Sequence, residues 1–319
     1  QGVIVKSEEI SSGEGLVMPP ANRSTFAREV VEIGDLLGGT MATGKLGDFL
    51  IGNESVSFVV SSPKNAGGFS ISGGHVIDAA FTAEGSDAFS EVFVCFDEDF
   101  PRQAVYDTLK VVDKVSNGAA ELIATGYDSD NSSLIVETRY RILPLVDYLT
   151  IVTTVKNTSG EAVKAYELGD AIQWGMTEKF APEVGRNLKG KTDLALPWLV
   201  GVSEHVSYGW SAGGLTLTGP HGGGWSDPTI RTVRLGPQES ASYERYLVVG
   251  TGDVASVLSS VLMLEGQSAG LLLGTVLQES NQEPIQDARV VVNTKEGAPF
   301  AFAHVDAEGK FRVPLPQGI

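Results

Sequence analysis

The 319-residue sequence predicts an all-β protein: a large multi-stranded sandwich, then a small β-sandwich, with one short helix at the junction. Three observations carry that prediction. There are 38 glycines, and glycine reaches positive φ without steric cost, which suits many tight turns. Short apolar or alternating runs recur from Val3 to about Gly266, bounded by Gly, Asn, Pro and Ser, the mark of strands joined by turns. Helical periodicity is confined to one segment near residue 260. A hydrophobic content of 42% against 20% charged residues supports a sizeable core.

The elements follow in order. Gly47 to Val60 gives two short strands around a Gly52-Asn53 turn, and Val56, Phe58 and Val60 alternate with Ser55 and Ser57 as in a half-buried strand. Leu134 to Leu143 and Tyr148 to Lys156 form a pair broken at Pro144 and closed by Asn157-Thr158-Ser159-Gly160. Val163 to Gly169, Ser207 to Trp210, Leu215 to Leu217, Thr229 to Leu235 and Ser242 to Val249 continue the series. Two spans, Ser61 to Gly74 and Thr218 to Asp227, are Gly-rich loops, where binding sites on β scaffolds concentrate. Asp253 caps a helix whose apolar residues at 254, 257, 258, 261 and 262 share one face, and Gly266 ends it. The expected boundary divides residues 1–268 from residues 269–319.

The net charge of −17 and the lack of a basic stripe argue against nucleic-acid binding. No stretch approaches the ~18 apolar residues of a membrane span. The single cysteine, Cys95, sits in the apolar run Val92-Phe93-Val94-Cys95-Phe96 and reads as a buried, inert thiol. The chain opens Gln1-Gly2-Val3 without an initiator Met. That start reads as a mature terminus left by removal of a signal segment, or as an artificial boundary, and the former places the protein outside the cytoplasm: secreted, periplasmic or on the cell surface.

The last fifty residues contain Gly274-Thr275-Val276, then Pro284-Ile285-Gln286-Asp287-Ala288-Arg289-Val290. Asp306-Ala307-Glu308-Gly309-Lys310-Phe311-Arg312-Val313 and Leu315-Pro316-Gln317-Gly318 follow. Asp306 to Gly309 suits a tight hairpin turn, after which Phe311 and Val313 share a face. This segment resembles the carboxypeptidase regulatory-like domain, a prealbumin-like sandwich. That family continues with a further strand, so the resemblance implies a module cut before its last strand, with an unpaired edge and further domains downstream. The preceding region carries Gly47-Asp48-Phe49-Leu50, Asn53, Val56 and Phe58-Val59-Val60, then Thr153 to Gly160, and Leu168-Gly169-Asp170 with Trp174-Gly175. In these it resembles the galactose-mutarotase-like supersandwich found ahead of the metal-dependent hydrolase domain in secreted bacterial PHP-type proteins.

Candidate chemistry is sparse. His75, His205, His221 and His304 form no ligand-spaced pair, so no metal or cofactor is expected. An epimerase-type acid and base would have to come from Glu167 or Asp170 with His205 or His221, which no spacing connects. Asp128-Ser129-Asp130-Asn131-Ser132 begins like a calcium loop, but its sixth and twelfth positions are Ser133 and Arg139, so it reads as a hairpin turn. The clearest pointer is aromatic. Trp174, Trp198, Trp210 and Trp225 fall in one stretch beside Tyr208, Asp170, His221 and Asp227, and a sugar site pairs aromatic faces with carboxylates and amides. The expected ligand set is Trp174, Trp210, Trp225, Tyr208, Asp170, His221 and Asp227.

Three readings of function follow. The leading one is a non-catalytic accessory or scaffold region of a larger exported protein, presenting downstream domains of the same polypeptide. The alternatives are a module that binds or converts carbohydrate in a Trp-rich cleft, and a cell-surface adhesion protein.

Overall fold

The computed structural model describes residues 3–10, 24–83, 85–97, 100–113, 115–186, 188 and 194–317. Two large antiparallel sheets dominate it. Sheet I has eight strands in the order Glu178–Phe180, Trp198–Val202, Ser207–Ser211, Ser240–Gly250, Tyr148–Asn157, Asn131–Ile142, Ala120–Asp128 and Ala104–Val111. Sheet II runs Leu194–Leu196, Leu217–Gly219, Thr229–Leu235, Val163–Gln173, Glu91–Phe96, Val76–Phe81, Val56–Val60, Phe49–Asn53 and Thr25–Glu29, with Trp225–Ser226 also paired to Val163–Gln173.

Alternation decides which face of each strand is covered. Phe58, Val94, Phe96, Leu168 and Ile172 of sheet II meet Leu122, Val136, Ile151 and Leu247 of sheet I in one apolar cluster, because period-2 side chains place every second residue on the inner face. Most expected strands are present at nearly the expected bounds. The strand expected at Leu215 to Leu217 lies instead at Leu217–Gly219, because the Leu215 N–H turns back to the Ala212 carbonyl. Val163–Gln173 runs four residues past its expected end. Asp128 pairs with Asn131 across a two-residue turn, the expected hairpin.

The helix spans Ala255–Leu264. Asp253 caps it, its Oδ1 accepting the Ser256 N–H at 2.8 Å. Gly266 ends it at φ 70°, where its N–H and that of Gln267 bond the Met263 and Leu262 carbonyls. Val254, Val257, Leu258, Val261 and Leu262 are all essentially fully buried.

In the C-terminal segment Ala269–Gln278 pairs with Lys310–Pro316, and Arg289–Asn293 with Pro299–His304. The edge of Ala269–Gln278 opposite Lys310–Pro316 is covered by Val3–Ile10, in register Val5 to Val276. A strand from the first ten residues thus completes a three-stranded sheet at the far end of the sequence. Phe311 and Val313 share a buried face as expected. They join Phe300 and Phe302, the helix, and Phe180, Trp198 and Val200 on sheet I in one continuous apolar cluster. No helix among the described residues is long and apolar enough to cross a membrane.

Candidate functional site

The long strand Val163–Gln173 sends alternate residues to opposite faces of sheet II, and this separates structural chemistry from surface chemistry. Asp170 points inward. Its carboxylate takes a bidentate pair of hydrogen bonds from Arg245, Nε to Oδ2 at 2.8 Å and Nη2 to Oδ1 at 2.6 Å. Arg245 Nη1 also donates to Thr153 Oγ1 and the Ile151 carbonyl. Burial pushes the Asp170 carboxyl up, and the Arg245 guanidinium opposes that shift. The pair staples the two sheets together, with the Arg245 guanidinium 4.0 Å from the centre of the Tyr243 ring, and burial pushes the phenols of Tyr106, Tyr140 and Tyr243 upward.

Gln173 points outward. It lies opposite Glu91 on one side and Trp225 on the other, and directly opposed residues of antiparallel strands share a face. Phe93 and Ala171, also opposed, lie on that same face. Two loops bring further rings over it. Phe69, about half exposed, meets Trp225 edge-on with centroids 4.8 Å apart, and Phe100 lies 6.5 Å from Trp225. The result is a partly exposed aromatic platform on the outer face of sheet II.

Buried polar groups hold the platform from beneath. Glu91 Oε1 accepts the Phe69 N–H at 2.7 Å, and Oε2 lies 3.3 Å from His75 Nε2, which also meets Ser70 Oγ at 2.9 Å. Gln103 Oε1 accepts the Ile71 N–H at 2.9 Å. Gly68 has φ 66°, and a Cβ there would collide with the Glu91 carboxylate, so that position requires glycine. At the platform edge the Gln173 amide is oriented by the Ser90 hydroxyl, which donates to its Oε1 at 2.6 Å. Gln173 is part-exposed opposite Trp225, and its amide carries N–H donors besides the oxygen that Ser90 engages.

The Gly-rich turn that carries Trp225 is closed by its own backbone. The Trp225 N–H bonds the Gly222 carbonyl, the Asp227 N–H bonds that of Pro220, and the Trp174 N–H bonds that of Gly224. Lys179, on Glu178–Phe180, adds its ammonium to the carbonyls of His221, Gly222 and Trp225. Burial lowers this ammonium to about 8, against the opposing charge of Asp227. Beside the turn lies a cleft of about 640 Å³ lined by Thr177, Glu178, Lys179, Arg186, Leu188, Gly223 and Gly224.

The expected ligand set divides between core and surface. Trp174, Tyr208, Trp210 and Asp170 are at most 1% exposed. Trp174 Nε1 donates to Ser226 Oγ at 2.9 Å. The Tyr208 hydroxyl accepts the Ala88 N–H and lies 3.0 Å from Asp87 Oδ1. Each is core because its strand position falls on the inner face or under the turn. His221 is buried, and burial followed by the Lys179 charge lowers its imidazole to about 4, with the Leu217 backbone opposing. Trp225 and Asp227 are part-exposed and belong to the surface turn.

Two of the four acid–base groups weighed from sequence lie apart from one another. Asp170 is committed to Arg245 inside the sandwich, and His205 is exposed on the turn before Ser207–Ser211. Asp128 Oδ2 accepts from Arg102 Nη2 at 2.8 Å and from the Tyr166 hydroxyl at 2.7 Å. Cys95 is buried on the outer face of sheet II. No three His, Cys, Asp or Glu side chains cluster as metal ligands among the described residues.

Phe69, Phe100, Gln173, Glu91 and Lys179 were not singled out by sequence. The one local signal was the Gly67-Gly68 pair in a loop already marked as site-prone. The remainder depends on which strands lie side by side.

No protein-family model matches the chain, and no curated protein matches it. Solved structures similar to it include a galactose mutarotase-like protein from Lactobacillus casei, 9% identical at a TM-score of 0.41, covering 64% of this chain and 100% of that one. A protein of glycosyl hydrolase family 38 from Enterococcus faecalis is 10% identical at 0.46, covering 83% and 44%. The alpha-galactosidase from Lactobacillus brevis is 11% identical at 0.38, covering 68% and 42%. The chain spans less than half the length of those last two proteins.

Proposed function

We propose that this chain is a carbohydrate-binding accessory region of an exported protein, and that it binds sugar on the outer face of sheet II. One observation carries the reading: Trp225, Phe69 and Phe100 form a part-exposed aromatic platform beside the outward Gln173 amide. An aromatic face takes the apolar C–H face of a pyranose, and a fixed amide at its margin supplies donors for ring hydroxyls. The Trp-rich expectation is thereby narrowed to Trp225, with Asp227 on the same turn.

Calorimetric titration against a panel of oligosaccharides tests this. Trp225→Ala is expected to weaken binding by more than about tenfold, the scale of an aromatic anchor. No heat with any sugar from the unaltered protein overturns the reading.

A second reading concerns the C-terminal segment, whose motifs resemble the regulatory-like family. Its shared cluster with sheet I supports a rigid support for domains further along the same polypeptide. The two readings are compatible, because platform and shared cluster lie on different sheets.

A further inference from the structure

Lys179 is a buried cation whose ammonium donates to main-chain carbonyls. The ammonium donates to Trp225 O at 2.5 Å and to Gly222 O at 3.4 Å, and it also donates to His221 O. All three oxygens belong to the single turn that carries the platform tryptophan. Converging carbonyl dipoles repel one another unless a cation or donor sits at their focus, and a buried carbonyl without a donor costs free energy. Lys179 is only 6% exposed, and its ammonium occupies that focus beside the cleft. The charged and titratable groups around it are Asp227, His221, and the Glu178–Arg186 ion pair on the cleft rim.

We propose that the Lys179 ammonium is a positioning residue for ligand binding, a tethered cation that organises the His221–Trp225 turn and so sets the Trp225 ring on the platform. This rests on the carbohydrate reading above and deepens it. The lysine does not touch the sugar; it acts through Trp225.

The other three tryptophans are at most 1% exposed, so acrylamide quenching of native fluorescence reports Trp225 selectively. In Lys179→Ala, quenching is expected to rise and sugar affinity to fall by about tenfold or more, the scale of lost charge-assisted hydrogen bonds. Lys179→Arg, which keeps a permanent cation with several donors, is expected to restore both. Added n-propylammonium, which replaces the missing side chain as a free cation, is expected to restore both in Lys179→Ala.

Quenching in Lys179→Ala that equals the unaltered protein's overturns the inference whether or not sugar binds. Increased quenching that neither Lys179→Arg nor n-propylammonium reverses also overturns it, because the carbonyls then need no cation. If the unaltered protein binds no sugar, the carbohydrate reading falls. The quenching and its rescue still decide whether Lys179 sets Trp225.

Discussion

Inside the sandwich, buried carboxylates meet partners of different kinds, and two of them show the range. Asp170 faces Arg245, and deleting one member of such a pair leaves an uncompensated buried charge, a loss of about 3–5 kcal/mol. Asp87 has no cation in contact among the described ion pairs. Its Oδ1 accepts the Ala79 and Phe89 N–H groups at 3.1 Å each and lies 3.0 Å from the Tyr208 hydroxyl. Burial, the largest influence, and the nearby Asp78 raise Asp87 from 3.8 to about 8, while those hydrogen bonds hold it back. The folded state therefore keeps a proton that the unfolded chain has already released. The stability this contributes is full below pH 3.8 and is lost as pH rises through about 8. Asp87→Asn keeps the acceptor and cannot titrate. Its melting temperature relative to the unaltered protein is expected to climb as pH rises from about 5 to about 8. Thermal scans showing a pH-independent difference would contradict this.

Among the elements, the helix and the strand Val163–Gln173 do most to connect regions. Asp253 serves the helix twice: one oxygen caps Ser256, and the other accepts the His304 N–H at 2.8 Å. The cap thus ties the helix start to the C-terminal hairpin. Asp253→Ala is expected to cost about 2 kcal/mol, a lost cap plus an amide left without its acceptor. Asp253→Asn, which retains a capping oxygen, should recover about half of that. Urea unfolding measures both, and equal midpoints for Asp253→Ala and the unaltered protein would refute the double role. The capped helix was legible because its signals are local: a carboxylate at the start, an i, i+3, i+4 apolar stripe, a glycine at the end. The continuation of Val163–Gln173 beyond Gly169 was not. Its last residues are stabilised by pairing with Glu91–Phe96 and Trp225–Ser226, neither of which is near in sequence.

Across the whole molecule, residues far apart in sequence share cores and sheets. The sequence places a boundary near residue 268, and across it Phe300, Phe302, Phe311 and Val313 lie in the same apolar cluster as Trp198, Phe180 and the helix. Phe302 meets Phe180 edge-on at 5.8 Å, and Phe300 meets Trp198 at 5.9 Å. Val3–Ile10 binds the segment on its other side. Parts that share this much core should lose structure together. Calorimetry is expected to show one transition that far- and near-ultraviolet circular dichroism follow in common. Two resolved transitions would mean the segments are energetically independent.

Local chemistry let the sequence determine the β class, the helix with both its ends, most strand positions, the Asp128 hairpin and the aromatic character of the 170–230 stretch. Each depends on alternation, turn residues or capping within a few positions. Tertiary structure alone decided which aromatics face water, because one-residue alternation sends Asp170 to Arg245 inside and Gln173 to Trp225 outside. It also placed Phe69 over Trp225, aimed Lys179 at three carbonyls and put Val3–Ile10 against Ala269–Gln278. Those are non-local pairings, and a strand carries no mark of its neighbour until the sheet register sets both.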